Sequence, residues 1–225
     1  MALRRGVVAA TEHESVLKML SCSTVVDIGA NSGQFALVAR HCFPEAKIIS
    51  FEPLSKPCER FRGLFSDDKK VILHPVAVGH KSGDAIIHVA HQDDSSSMLP
   101  ITPLQATLFP GTKERETQKI QVKTLNEMIT SDEIVTPALL KLDVQGYELQ
   151  ALKGCAELLE RFDYVYAECS FMELYAGQSL ADDVITFLRG YGFRFKGIYN
   201  LKYDSQGRTV QAEFLFKHQP KDSDR

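Results

Sequence analysis

The chain has 225 residues, a formal net charge of −3, and 44% hydrophobic against 24% charged residues. That length suits one α/β domain with a full core and is too short for two large ones. The slightly acidic balance argues against a nucleic-acid partner, and no apolar run approaches the roughly 18 residues that span a bilayer. The five cysteines (Cys22, Cys42, Cys58, Cys155, Cys169) are scattered with no C-x-x-C pair, so free thiols in a reducing compartment are expected. With no signal-peptide pattern at the start, a cytoplasmic protein away from membranes is the expectation.

In chain order, residues 1–22 read as a short leading helix with Val16, Leu17, Met19 and Leu20 on its apolar side. A first strand at about 24–29 runs into a helix whose Phe35, Val38, Ala39 and Cys42 share one stripe. The second strand, at about 46–51, ends in Glu52-Pro53. A helix with Ser55 as N-cap and Pro57 in its first turn follows, burying Cys58, Phe61, Leu64 and Phe65. A third strand is expected from Val71 through Val78. This alternation predicts a parallel, doubly wound half.

Between Gly83 and Leu125 the pattern departs from it. Asp84–Ala90 and Ile120–Leu125 read as partner strands flanking a polar and proline-bearing loop, an inserted flap over 83–125. Alternation then resumes. A short helix is expected at about 125–131, a strand over Ala138–Val144, and a helix from Gly146 that buries Leu149, Leu152, Ala156 and Leu159. A strand over Tyr164–Glu168 and a helix from near Ser179 to Gly190 come next. Two last strands, about 193–202 and 209–217, flank Asp204–Arg208, a hairpin signal, so the final strand should run antiparallel to the rest. The expectation is a single domain over 1–218 with a disordered tail, 219–225.

The stretch Asp27-Ile-Gly-Ala-Asn-Ser-Gly33 carries the chemistry. It has two glycines four apart and lacks the G-x-G-x-x-G of a dinucleotide loop. An acid before the first glycine would repel a pyrophosphate but attract the ammonium of a methionine moiety. Glu52, ending the next strand, is placed to accept hydrogen bonds from two ribose hydroxyls. Together they predict an S-adenosylmethionine site formed by Asp27, Gly29, Ala30, Asn31, Gly33, Phe35, Glu52, Pro53 and Ala77, with Asp143 at the reactive end.

Asp143 ends the strand expected beside the first one, and Glu168 ends its neighbour. These are the candidate catalytic carboxylates. Both could instead hold a divalent metal, the less favoured arrangement because no third oxygen ligand is evident. Ser96 and Ser97 in the flap, and Glu148 in the first turn of its helix, are candidate substrate contacts; capping or loop roles are their alternatives. His88 and His91 point to opposite faces of an extended strand and cannot both ligate one ion without a bulge. His74 reads as a core imidazole, and Asp182-Asp183 as helix capping.

The pairing of Asp27–Phe35 and Phe51-Glu-Pro53 with Lys141-Leu-Asp-Val-Gln-Gly-Tyr-Glu148 and Leu152-Lys-Gly154 resembles the FkbM family of S-adenosylmethionine-dependent methyltransferases. The likeness covers about residues 22–170, and Val122–Leu125 and Ser95–Ser97 sit where such proteins carry similar elements. It implies a Rossmann-like class I methyltransferase fold and O-methylation of a sugar, glycan or hydroxylated natural product. Two other readings are a nicotinamide-dependent oxidoreductase, disfavoured by the missing glycine motif, and a cofactor-binding module without catalysis.

Overall fold

The computed structural model describes residues 6–219. A 3-10 turn, Thr11–His13, leads into helix α1 (Glu14–Leu17), and then strand β1 (Thr24–Ile28), α2 (Gln34–Cys42), β2 (Lys47–Phe51), α3 (Ser55–Phe65) and β3 (Val71–His74) alternate. The flap comprises β4 (Ala77–Val78), β5 (Gly83–Ala90), a 3-10 turn at Asp93–Ser95, α4 (Pro103–Leu108) and β6 (Glu114–Lys123). There follow α5 (Leu125–Met128), β7 (Ala138–Leu142), α6 (Glu148–Gly154), β8 (Tyr164–Ser170), α7 (Ala181–Gly190), β9 (Phe193–Tyr203) and β10 (Thr209–His218).

Seven strands form one sheet in the order β3-β2-β1-β7-β8-β10-β9. The first five are parallel, and β10 is antiparallel to both neighbours, as the hairpin signal predicts. Every residue of β1 and β7 is buried, the state of a central parallel strand covered on both faces. One core packs Val26, Leu140 and Val165 against α6 and α7; the other packs Val25, Ile48 and Leu139 against α2 and α3. Strand order reverses between β1 and β7, which puts the ligand crevice at their C-terminal ends.

Several local expectations are corrected. The leading helix is one turn long, residues 1–5 of it lie outside the described residues, and Met19 is 61% exposed. Ser21-Cys22-Ser23 breaks the helix, serine side chains competing for backbone hydrogen bonds. The N-cap of α3 is Leu54, not Ser55, because the Glu52 carboxylate takes the Leu54 N–H and Leu54 O receives the Cys58 N–H. The strand expected through Val78 is divided at Pro75: Val71–His74 pairs with β2, whereas Ala77–Val78 turns away to pair with β6 in a separate sheet ordered β4-β6-β5. Proline cannot donate to a ladder.

Leu149 and Ala156 are only partly buried. His74 is half-buried and stacks on Phe51 at 4.9 Å between ring centroids. Asp183 caps α7 by accepting the Leu180 N–H at 3.1 Å. The expected tail lies outside the described residues except for Gln219, whose N–H bonds Gly192 O.

Candidate active site

The turn after β1 is held from two sides. Gly29 and Ala30 both donate to the carbonyl of Phe51, at 3.0 Å each. Gly29 has φ +86°, and a Cβ there would overlap the Asp143 carbonyl oxygen, so glycine is required where the ends of β1 and β7 meet. Asn31, at φ 44°, tolerates the left-handed conformation and turns its amide oxygen back onto Ser32 N and Gln34 Nε2. Gly33 faces α3, where a Cβ would lie 3.0 Å from Phe61 and Phe65. Its part is to let two helices approach. It does not line the crevice.

Glu52 is the pivot on the other side. It is 5% exposed, its Oε2 accepts from Asn31 N at 3.0 Å and its Oε1 from Leu54 N at 2.8 Å. Each carboxylate oxygen keeps a further lone pair, and Glu52 lines a crevice together with Gly29, Asn31, Pro53, Ala77 and Asp143. Ile87 and Met98 of the flap supply apolar surface to the same crevice. Burial pushes the Glu52 carboxyl up to about 7, although the Leu54 and Asn31 N–H groups favour its charged form.

Two further chambers share lining residues with this one. Gly29, Ala30, Asn31, Phe35 and His13 line the second. Gln105, Glu168, Asn200, Lys202 and Glu213 line the third. Asp143 and Asp94 border all three. The Ser97 hydroxyl donates to Gln145 O at 2.6 Å and Ser96 Oγ accepts from Ala90 N at 3.1 Å. Both serines line the first chamber rather than the third.

Glu148 is 4% exposed and binds the N–H groups of Val144 and Gly146, which shapes the loop under Asp143. Burial raises its carboxyl to about 7. Asp27 is 1% exposed, has an unpartnered Oδ2, and sits beside Lys141 in the strand register. It lies beneath the crevice and is not part of its lining.

The carboxylates beyond Asp143 form a network. Gln145 Nε2 bridges Asp143 Oδ1 at 2.7 Å and Glu168 Oε2 at 2.8 Å. Lys141, buried, lies 3.5 Å from Asp143 and 3.4 Å from Glu213. Burial opposes ionisation of Asp143, but the Lys141 ammonium and the Gln145 amide outweigh it and hold the group below its ordinary value. Burial, then the charges of Asp143 and Glu213, push the Glu168 carboxyl well up.

Residue-by-residue reading misses Glu213, Lys141, His13, Asp94 and Tyr175. The available signals are the lone charges inside the apolar runs Ala138–Leu142 and Val210–Phe216. His13 accepts from Asn200 at 3.2 Å and contacts the Tyr166 hydroxyl at 3.1 Å through Nδ1. Burial, then Lys141, lowers it to about 3, so it is neutral and its Nε2 carries the proton. Tyr175 ties Gln145 Oε1 at 2.7 Å to Ser95 O and Gln105 of the flap.

Comparison with known proteins identifies the family of the chain. Residues 27–195 match the model of the methyltransferase FkbM domain. The chain is 25% identical over 189 residues to the 2-O-methyltransferase NoeI of Sinorhizobium fredii, covering 78% of this chain and 76% of that protein. It is 29% identical over 145 residues to the hexuronic acid methyltransferase AglP of Haloferax volcanii, covering 63% and 54%. In fold it is similar to a precorrin-6y C5,15-methyltransferase from Geobacter metallireducens, with TM-score 0.52 at 11% identity over 97% of this chain and 94% of that one. These matches leave no basis for the oxidoreductase reading. The chain belongs to the methyltransferase FkbM domain family and is an S-adenosylmethionine-dependent methyltransferase with a class I α/β fold.

Proposed function

We propose that the protein methylates a hydroxyl oxygen of a sugar or glycan seated in the third chamber. The carrying observation is that Asp143 lines both the Glu52 chamber and the polar chamber of Gln105, Asn200 and Lys202. The names of the two curated relatives, a 2-O-methyltransferase and a hexuronic acid methyltransferase, support an oxygen on a sugar as the methylated atom.

Gly29, Ala30, Asn31, Phe35, Glu52, Pro53 and Ala77 would hold the cofactor, which supplies an electrophilic methyl group when bound. Catalysis by this chain is then mostly placement, since fixing a nucleophile in line at near-attack distance is worth on the order of 7–11 kcal/mol. Asp143 is the carboxylate placed to take the hydroxyl proton, and Glu168, tied to it through Gln145, orients it. Ser96 and Ser97 keep the flap closed over the adenosine side, and Glu148 shapes the loop that presents Asp143.

The test is transfer of labelled methyl from S-adenosylmethionine to a panel of neutral and uronic sugars and oligosaccharides. Asp143→Asn should lower kcat about 100-fold or more with S-adenosylhomocysteine still bound. Wild-type protein that binds the cofactor but labels only amine or carbon acceptors would overturn the oxygen assignment.

A further inference from the structure

Glu168 on β8 and Glu213 on β10 are direct partners in the antiparallel register. Like charges opposed in this way repel. Asp143, at the end of the adjoining β7, joins them, and the three carboxylates each offer an oxygen within 4.8 Å of the other two. Lys141 is the cation in salt-bridge contact with the group, touching Asp143 and Glu213. One ammonium against the three carboxylates, when all are ionised, leaves two negative charges to be met by protons or by a cation. The residues flanking Glu213 on β10, Ala212 and Phe214, are buried and apolar.

A second feature does not depend on the charge count. Glu213 is 5% exposed, and its Oε2 has no hydrogen-bond partner among the described residues. A buried acceptor left without a partner is unfavourable unless a ligand occupies it. Glu213 also lines the third chamber with Asp143 and Glu168, so the cluster can be reached from the crevice.

We propose that Asp143, Glu168 and Glu213 bind one hard divalent cation, Mg²⁺ or Mn²⁺, at the acceptor end of the crevice. The donor set is entirely carboxylate oxygen, which suits hard cations and not zinc or copper. A charge of +2 balances the two uncompensated charges, with Lys141 remaining as the fixed cation behind them. Such ions keep several coordination positions for water, and these would face the third chamber, where a coordinated acceptor hydroxyl becomes more acidic. The use of the ion rests on the acceptor reading above, but its binding does not.

The experiment is therefore a binding measurement. Wild-type protein with S-adenosylhomocysteine is titrated with MnCl₂ and free Mn²⁺ is read by electron paramagnetic resonance. One Mn²⁺ per chain is expected, displaced by Mg²⁺. Glu213→Gln and Glu168→Gln should each weaken it by about tenfold or more; Glu116→Gln, exposed on β6, should not. Mn²⁺ should raise the melting temperature of wild type and not of Glu213→Gln. Without metal that variant should melt at or above wild type, because a repulsion is relieved. No stoichiometric Mn²⁺, or binding indifferent to both glutamine substitutions, overturns the site. Retained S-adenosylhomocysteine binding in that case leaves the methyltransferase reading intact, whereas its loss from wild type would count against that reading instead.

Discussion

Glu52 shows how one side chain serves both architecture and chemistry. Its two oxygens fasten the turn after β1 to the start of α3 through Asn31 and Leu54, so the group that would grip a ribose also fixes the walls around it. Glu52→Gln keeps the size but loses the charge and sets an NH2 group against one of the two N–H donors, and should weaken S-adenosylhomocysteine binding by roughly tenfold, measured by calorimetry. Because burial lifts the carboxyl to about 7, the acceptor form prevails only above that pH. Wild-type affinity should fall between pH 8 and pH 6, and the glutamine variant should lack this dependence. Glu52 was legible in the sequence because a strand end and an acid are adjacent there. Glu213 was not: it lies 70 residues from Asp143 in the chain, and only the order β7-β8-β10 brings the two together.

At the level of elements, the flap is fastened to the catalytic loop by a few polar contacts. The Tyr175 hydroxyl joins Ser95, Gln105 and Gln145, and Ser97 adds its bond to Gln145 O. Tyr175→Phe should speed amide hydrogen exchange across 93–97 and destabilise the protein by about 1–2 kcal/mol, read by exchange mass spectrometry and denaturant melts. Unchanged exchange would mean that the apolar contacts of Ile87 and Met98 alone hold the flap. The parallel strands were readable from their apolar runs, and the final hairpin from its turn. The break at Pro75 was not, because either of two sheets could accept Ala77–Val78, and the choice depends on β6 more than forty residues later.

For the molecule as a whole, buried acids set the response to pH. Glu52 and Glu148 have folded pKa values of about 7, raised chiefly by burial, against roughly 4.3 for an unfolded glutamate. At these two groups the folded state therefore binds more protons than the unfolded state between those limits, and above pH 6 together they outweigh His13, whose lowered value acts the other way. Its stability rises on acidification from pH 8 to 6, the added contribution being full below the unfolded value and lost as pH climbs through 7. Melting temperatures without ligand should increase by a few degrees over that interval; a fall would contradict the assigned burial of these groups.

Strand β10 follows β9 in sequence but is threaded between β8 and β9, and it brings Glu213 with it. During synthesis, β8 therefore waits with a bare edge until β9 and then β10 have been made, a template for unwanted pairing in the interim. A nascent chain ending before Thr209 can carry the cofactor turn but lacks the third carboxylate. The carboxylate cluster of Asp143, Glu168 and Glu213 thus assembles only once β10 has docked between its two neighbours.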